Sequence, residues 1–124
     1  MPTPAEYWDR ESTQPVTPPS HSWMAHPLVR EYINESVGGG QGMWPLDWFQ
    51  KAYPGRRFWN AMSIGCGTGA LERDLLQRNL VDRIDACDAS VQSLKIARET
   101  AATEALAERV HYFEADFNVL DLPT

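Results

Sequence analysis

Residues 57–70 read RFWNAMSIGCGTGA, and this stretch decides the fold class of the chain. Its first half, Phe58–Ile64, is a short apolar run that predicts a buried strand. Three glycines follow directly: Gly65, Gly67 and Gly69. Glycine allows a tight turn with positive φ and lets a ligand or a helix approach the backbone without an intervening Cβ. The stretch therefore predicts a strand, a ligand-binding turn and a helix that begins at Gly69 or the next residue.

The alternation of helices and strands continues beyond this turn. We predict a helix to near Asn79, a strand over 83–88, a helix that Ser90 caps and that extends to about residue 103, and a strand over 109–114. Such an order is typical of a parallel α/β sheet with right-handed crossovers and flanking helices. We expect the apolar residues of the two helices to face the sheet: Leu71, Leu75, Leu76, Val91, Leu94, Ile96 and Ala97.

The first 26 residues are rich in proline and polar residues, which predicts an irregular or extended arm. The arm also carries Tyr7, Trp8 and Trp23. Large aromatic side chains have much apolar area to bury, so the arm either packs on the domain or covers a ligand as a lid.

Two short helices are predicted between the arm and the first strand. One opens at Pro27 and ends at the glycines of 38–40, and the other begins near Pro45. The chain is accordingly divided into an N-terminal region of arm and helices, 1–56, and a ligand-binding half-domain, 57–124.

Acidic residues follow the second and third predicted strands. Asp88 ends the second strand, 19 residues after Gly69, where a carboxylate can accept hydrogen bonds from both hydroxyls of a ribose. Glu114-Ala115-Asp116-Phe117 follows the third strand, where an acid can accept from an adenine amino group and Phe117 can lie against the ring. Asp82 and Asp85 lie before or within a strand, and we expect them to be solvated.

Together these elements resemble the class I, Rossmann-like, S-adenosylmethionine-dependent methyltransferases over residues 57 to 121. The spacing Gly-x-Gly-x-Gly differs from the Gly-x-Gly-x-x-Gly of dinucleotide-binding folds, and the lysine and hydroxyl of a P-loop are missing. The resemblance implies S-adenosylmethionine as cofactor and S-adenosylhomocysteine as product. It also implies a cofactor site made of Ile64, Gly65, Cys66, Gly67, Thr68, Gly69, Asp88, Ala89, Asp116 and Phe117.

The sequence departs from the family pattern in two places. Ser63 stands where the family often has an acid that helps to hold the methionine amino group, a contact that backbone carbonyls of the loop can replace. The family sheet has about seven strands, whereas this sequence ends after the third. We therefore expect a Rossmann-like sheet that is truncated after its third strand, as a fragment of a longer chain or as a natural half-domain.

Three functions are compatible with this pattern to different degrees. The favoured one is a methyltransferase acting on a small-molecule acceptor, and the alternative is a half-domain that binds the cofactor without transferring a methyl group. A nicotinamide-dependent oxidoreductase is disfavoured by the glycine spacing and by the lack of a Tyr-x-x-x-Lys pair. No catalytic residue is assigned. Three histidines are weak candidates for contacts with the acceptor: His21, His26 and His111. His111 is expected within a strand, and His26 would face the site only if the arm is a lid.

The composition of the chain limits which kinds of partner are expected. The net charge of −6 and the lack of a basic patch argue against nucleic acid as the main partner. Cys66 and Cys87 form no metal-ligand pattern and are expected to be reduced thiols. No stretch is long and apolar enough to span a membrane and no signal peptide is evident, so we expect a cytoplasmic protein. The first strand, left at an edge, predicts a homodimer, with coverage of that edge by the N-terminal aromatic arm as the alternative.

Overall fold

The computed structural model describes residues 1–13, 26–119 and 121. The chain forms two compact units, one of Met1–Gln14 with Arg57–Thr124 and the other of Pro15–Arg56. The first unit contains the sheet and the glycine loop. Two residues considered above, His21 and Trp23, lie outside the described residues.

The described part of the chain contains five α-helices and three strands. In chain order they are α1 (Pro4–Ser12), α2 (Pro27–Val37), α3 (Pro45–Ala52), β1 (Phe58–Ile64), α4 (Ala70–Gln77), β2 (Val81–Asp88), α5 (Val91–Thr103) and β3 (Val110–Glu114). A short 3-10 turn, Ala107–Arg109, precedes β3. The bounds of β1 and of α2 agree with those predicted, while β2 begins two residues earlier than expected.

The three strands form one parallel sheet in the order β1-β2-β3. Ile64 pairs with Cys87, and Asp88 pairs with Glu114, so the carboxyl ends of all three strands meet at the same edge. This arrangement confirms the predicted α/β fold class and places the glycine loop, Asp88 and the end of β3 side by side.

The core lies between the sheet and the two helices that cover it. Helix α4 packs on β2, and α5 packs on both β2 and β3. The apolar side chains that fill this space are almost wholly buried: Leu76, Leu80, Val81, Ile84, Ala86, Cys87, Leu94, Ala97, Ala101, Leu106, Val110 and Tyr112.

Two positions predicted to face the sheet do not. Leu71 is 52% exposed and Val91 is 51% exposed, although both begin the apolar pattern of their helices. In α4 the buried residues are instead Glu72 and Leu76, which are four apart and therefore lie on one face. The prediction for Leu71 was wrong because the helix turns its Glu72 side toward the sheet.

The N-terminal arm is not irregular throughout, because residues 4–12 form helix α1. Thr3 and Glu6 make a capping box: the Thr3 hydroxyl accepts from the Glu6 N–H at 3.3 Å, and Oε2 of Glu6 accepts from the Thr3 N–H at 2.8 Å. Pro4 fits the first helical position because its missing N–H has no helical partner there. Helix α1 packs on α5, and Tyr7 and Trp8 remain exposed. The domain boundary expected at residue 57 stays a prediction, although residues 1–14 group with the sheet.

The second unit contains α2 and α3, which pack on each other. His26 caps α2, with its Nδ1 accepting from the Leu28 N–H at 3.3 Å. The Arg30 guanidinium lies 4.7 Å from the centre of the Trp44 ring, a cation–π contact. No helix among the described residues is both long and apolar enough to cross a membrane.

Gly69 provides a test of the packing between loop, helix and sheet. Its φ is +76°, and a Cβ built there would overlap the Tyr112 hydroxyl and lie 3.1 Å from the Cβ of Ala97. Gly69→Ala should therefore lower the free energy of unfolding by about 2 to 4 kcal/mol, the sum of left-handed strain and overpacking. Chemical denaturation without ligand measures this loss.

Gly65→Ala is the matched control, since Gly65 also has a positive φ, +72°, but open space around a Cβ. It should lose only about 1 to 2 kcal/mol from left-handed strain. Tyr112→Phe, combined with Gly69→Ala, should restore part of the loss by removing the hydroxyl. Equal losses for the two alanine variants would contradict the packing role of Gly69.

Candidate functional site

The loop of residues 64–69 leaves the carboxyl end of β1 and is fixed to the neighbouring strand. The backbone N–H groups of Gly65 and Cys66 both donate to the Cys87 carbonyl, at 2.8 and 3.0 Å. Gly65, Gly67 and Gly69 have φ values of +72°, +54° and +76°. This left-handed conformation is unfavourable for residues that carry a Cβ, so the sequence Gly-x-Gly-x-Gly is what permits the turn.

The three glycines differ in what surrounds them. A Cβ at Gly65 or Gly67 would meet nothing within 4 Å, whereas one at Gly69 would collide with Tyr112. The outer side of the loop is therefore open to a ligand, while Gly69 serves the close packing of α4. The close packing at Gly69 agrees with one of the roles predicted for the glycines, while ligand approach at the other two stays a prediction.

Asp88, at the end of β2, joins the loop to the start of α5. Its Oδ2 accepts from the Gly67 N–H at 2.8 Å, and its Oδ1 accepts from the Ser90 N–H at 2.9 Å. Asp88 and Ala89 are both half-buried. Each carboxylate oxygen can accept more than one hydrogen bond, so Asp88 can hold the loop and still accept from a ligand.

The segment after β3 lies beside Asp88. The Ala115 N–H donates to the Asp88 carbonyl at 3.1 Å, which continues the sheet for one more residue. Asp116 is exposed, and its Oδ1 accepts from the backbone and side-chain N–H groups of Asn118 at 2.9 and 2.8 Å. Phe117 is 59% exposed. The structure thus places Asp116 and Phe117, the predicted adenine-contacting pair, at the same edge of the sheet as Asp88, with Asp116 in a turn with Asn118.

Helix α1 contributes a residue that sequence reasoning missed. Oδ1 of Asp9 accepts from the Ser90 hydroxyl at 2.6 Å and from the Gln92 N–H at 3.0 Å. The hydrogen bond from Ser90, followed by that from Gln92, lowers the pKa of the Asp9 carboxyl. Asp9 therefore fixes α1 to the N-terminus of α5, directly after Asp88. No local sequence signal reveals a contact between residues 81 positions apart.

Glu72 is the second residue that sequence reasoning missed. It is 1% exposed, and its Oε1 accepts from the hydroxyl of Ser63, the residue that stands where the resemblance implies an acid. Its Oε2 has no hydrogen-bond partner among the described residues. The available signal was its position three residues after Gly69 and four before Leu76, on the stripe that faces the sheet.

The surroundings of the loop disfavour further negative charge. Burial raises the pKa of the Cys66 thiol to about 12, and the carboxylates of Glu72 and Asp88 contribute to the same shift. Burial also raises the pKa of Tyr112 to about 12, again with a contribution from Glu72. Both cysteines are free thiols. The same charges that oppose a thiolate attract a cationic ligand.

Other predicted residues lie away from this site. His111 is exposed on β3, with its Nδ1 3.2 Å from Oδ1 of Asp85. Asp82 forms an ion pair with Arg57 at the start of β2. Asp85 was expected to be solvated and its side chain is 48% exposed, whereas that of Asp82 is 23% exposed; each also has a side-chain partner. A cavity of about 440 Å³ on this part of the sheet is lined by Asn60, Ala61, Met62, Asp85, His111, Phe113 and Asp121.

Comparison with solved structures gives the same fold. The chain is similar to the cyclase SpnF, with 23% identity over 62% of this chain and 28% of that one and a TM-score of 0.52. It is similar to MccD, with 22% identity over 64% and 33% of the two chains and a TM-score of 0.52. It is also similar to YcgJ from Bacillus subtilis, with 20% identity over 63% and 32% and a TM-score of 0.51.

The chain thus spans about a third of the length of these structures. A search of curated proteins found no match. A family described as "Methyltransferase domain" matches residues 61–124, which include the loop from Gly65, Asp88 and the end of β3. The chain therefore belongs to the methyltransferase-domain family.

Proposed function

We propose that this chain binds S-adenosylmethionine above the 64–69 loop, as the cofactor half of a methyltransferase that acts on a small-molecule acceptor. The proposal rests on one observation. Gly65 and Gly67 have positive φ values and open space around them, and they lie next to an acid at the end of the neighbouring strand. Gly67 and Asp88 are joined by a 2.8 Å hydrogen bond. Open glycines admit the ligand to the backbone, and the acid can accept from ribose hydroxyls.

The remaining cofactor contacts follow from the same edge of the sheet. Asp116 would accept from the adenine amino group, and the exposed ring of Phe117 would cover one face of the base. The sulfonium of the cofactor is positively charged, which suits the carboxylates of Glu72 and Asp88 around the loop.

The reaction needs little more than positioning from the protein. When bound, the cofactor would supply an activated methyl group on its sulfonium sulfur for transfer to a nucleophilic atom of the acceptor. The residues around the loop would hold the cofactor in place, and holding two reactants in a productive geometry lowers the barrier to such a displacement. The small-molecule acceptor is favoured by the net charge of −6, which does not suit nucleic acid.

The alternative is a half-domain that binds the cofactor without transferring its methyl group. It is favoured because every site residue proposed within the described ranges is assigned to the cofactor and none to the acceptor. Calorimetry with S-adenosylhomocysteine, run beside a methyl-transfer assay on a panel of small acceptors, separates the two. Binding together with transfer supports the methyltransferase, and binding without transfer supports the alternative.

Asp88 provides the first test of the cofactor site. Asp88→Ala should weaken the binding of S-adenosylhomocysteine about 10- to 150-fold, because the loss of charge-assisted hydrogen bonds costs about 1.5 to 3 kcal/mol. Asp82→Ala is the control, since it removes the same charge from the other end of β2. Calorimetry measures both affinities. Equal affinities for the two variants would show that the ribose does not lie at Asp88.

Gly67 provides the second test. Gly67→Val should abolish detectable binding of S-adenosylhomocysteine, because the branched side chain fills the open side of the loop. Gly55→Val is the control for backbone strain, since Gly55 has a φ of +76° and equally open surroundings. Circular dichroism should show retained helix content in both variants. Normal binding by Gly67→Val would mean that the loop is only a turn.

We further propose that the chain forms a homodimer through β1. This strand ends the order β1-β2-β3, so one of its edges lacks a strand partner within residues 1–13, 26–119 and 121. Trp59, Met62 and Ile64 are exposed along it, and the strand has no lysine or proline. Unprotected edges of this kind pair with another chain, and a two-fold axis is the commonest arrangement.

Light scattering at micromolar concentration should give about twice the chain mass of 14.0 kDa. Met62→Lys should shift the population to monomer, because a charge at the edge opposes strand pairing. Leu71→Lys, on the exposed side of α4, should leave the dimer intact. A folded wild-type chain that scatters as a monomer would refute this arrangement.

A further inference from the structure

Glu72 is a buried acid, and in the described structure only one of its two carboxylate oxygens accepts a hydrogen bond. Its side chain is 1% exposed, and Oε2 has no hydrogen-bond partner among the described residues. Burial of a carboxylate is strongly unfavourable unless it is paired and hydrogen-bonded. The arrangement therefore calls for a further donor, preferably a cationic one.

No neighbouring cation in the described part of the chain supplies that charge. The nearest arginine in sequence, Arg73, donates from its Nη1 to the Thr68 carbonyl at 2.6 Å, and its Nε lies 3.4 Å from Oε2 of Glu104. The described contact of Glu72 is with the neutral hydroxyl of Ser63. Asp88 adds a second negative charge close to the same loop.

The position of the pair relates it to the glycine loop. Ser63 precedes Gly65 by two residues at the end of β1, and Glu72 lies in the first turn of α4, three residues after Gly69. The pair therefore flanks both ends of the loop. The Glu72 carboxylate is also close enough to Cys66, within the loop, to raise the pKa of its thiol.

We propose that Glu72, oriented by the Ser63 hydroxyl, binds the ammonium group at the amino-acid end of S-adenosylmethionine. This inference rests on the proposed cofactor site. An ammonium group has three N–H donors, and both Oε2 of Glu72 and the oxygen of Ser63 retain acceptor capacity. The sulfonium has no such donors and would leave Oε2 without a hydrogen bond. The ammonium group thus supplies both the charge and the donor that Glu72 lacks.

The competing role for Glu72 is structural, in which its bond to Ser63 only ties α4 to β1. Two ligands distinguish the roles: S-adenosylhomocysteine and its analogue with hydrogen in place of the amino group. Glu72→Gln should weaken binding of S-adenosylhomocysteine 10- to 100-fold in calorimetry and change binding of the analogue less than twofold. The wild-type preference for the amino-bearing ligand should nearly disappear in this variant.

Glu104→Gln is the matched control, since it removes the same charge from a nearby residue whose carboxylate contacts Arg73. It should preserve the wild-type preference. Ser63→Ala should reduce the preference about 3- to 10-fold, without affecting the analogue. If circular dichroism shows that Glu72→Gln does not fold, the Ser63→Ala result decides between the ammonium-binding and the structural role of Glu72.

An unchanged preference in Glu72→Gln or, where that variant is unfolded, in Ser63→Ala would overturn the role of Glu72 and leave the cofactor site standing. Equal losses for both ligands would do the same, because they would indicate a structural role. Binding of neither ligand by the folded wild-type chain would overturn the proposed function, and the ammonium site with it.

Discussion

The carboxylate of Asp88 is the constraint on which the site depends. One oxygen accepts from the Gly67 N–H in the loop, and the other accepts from the Ser90 N–H at the start of α5. A single side chain at the end of β2 thereby connects the loop after β1 to the helix after β2. Because the carboxylate is half-buried, these hydrogen bonds are less weakened by water than they would be at the surface.

Further contacts extend this connection in two directions. The Ser90 hydroxyl donates a 2.6 Å hydrogen bond to Asp9 of α1. This bond links the N-terminal helix to the unit that contains the sheet. On the other side, the packing of Gly69 against Tyr112 holds the start of α4 close to β3. The loop is therefore fixed at both ends, while the backbone of Gly65 and Gly67 remains open. A fixed loop loses little conformational entropy when a ligand binds to it.

The ionisable side chains close to this loop favour a positively charged ligand. Burial, with further contributions from Glu72 and Asp88, raises the pKa of the Cys66 thiol to about 12, so the thiol is protonated at neutral pH. A protonated, half-buried thiol is a poor nucleophile, so Cys66 is suited to line the loop and not to react. The acids, in contrast, are suited to a ligand that carries positive charge.

The sequence by itself determined the elements whose signals are local. Glycine spacing, the apolar run Phe58–Ile64 and the cap at Ser90 each act within a few residues, and they correctly predicted the sheet, the turn after β1 and the position of Asp88 at the end of β2. The capping box of Thr3 was equally local, but the surrounding prolines favoured an irregular arm. Only the tertiary structure decided that Glu72 is buried while Leu71 is exposed, because the side of a helix that faces the sheet depends on packing between elements. The contact of Asp9 with Ser90 was likewise beyond local reasoning, since it joins residues 81 positions apart through the folded chain.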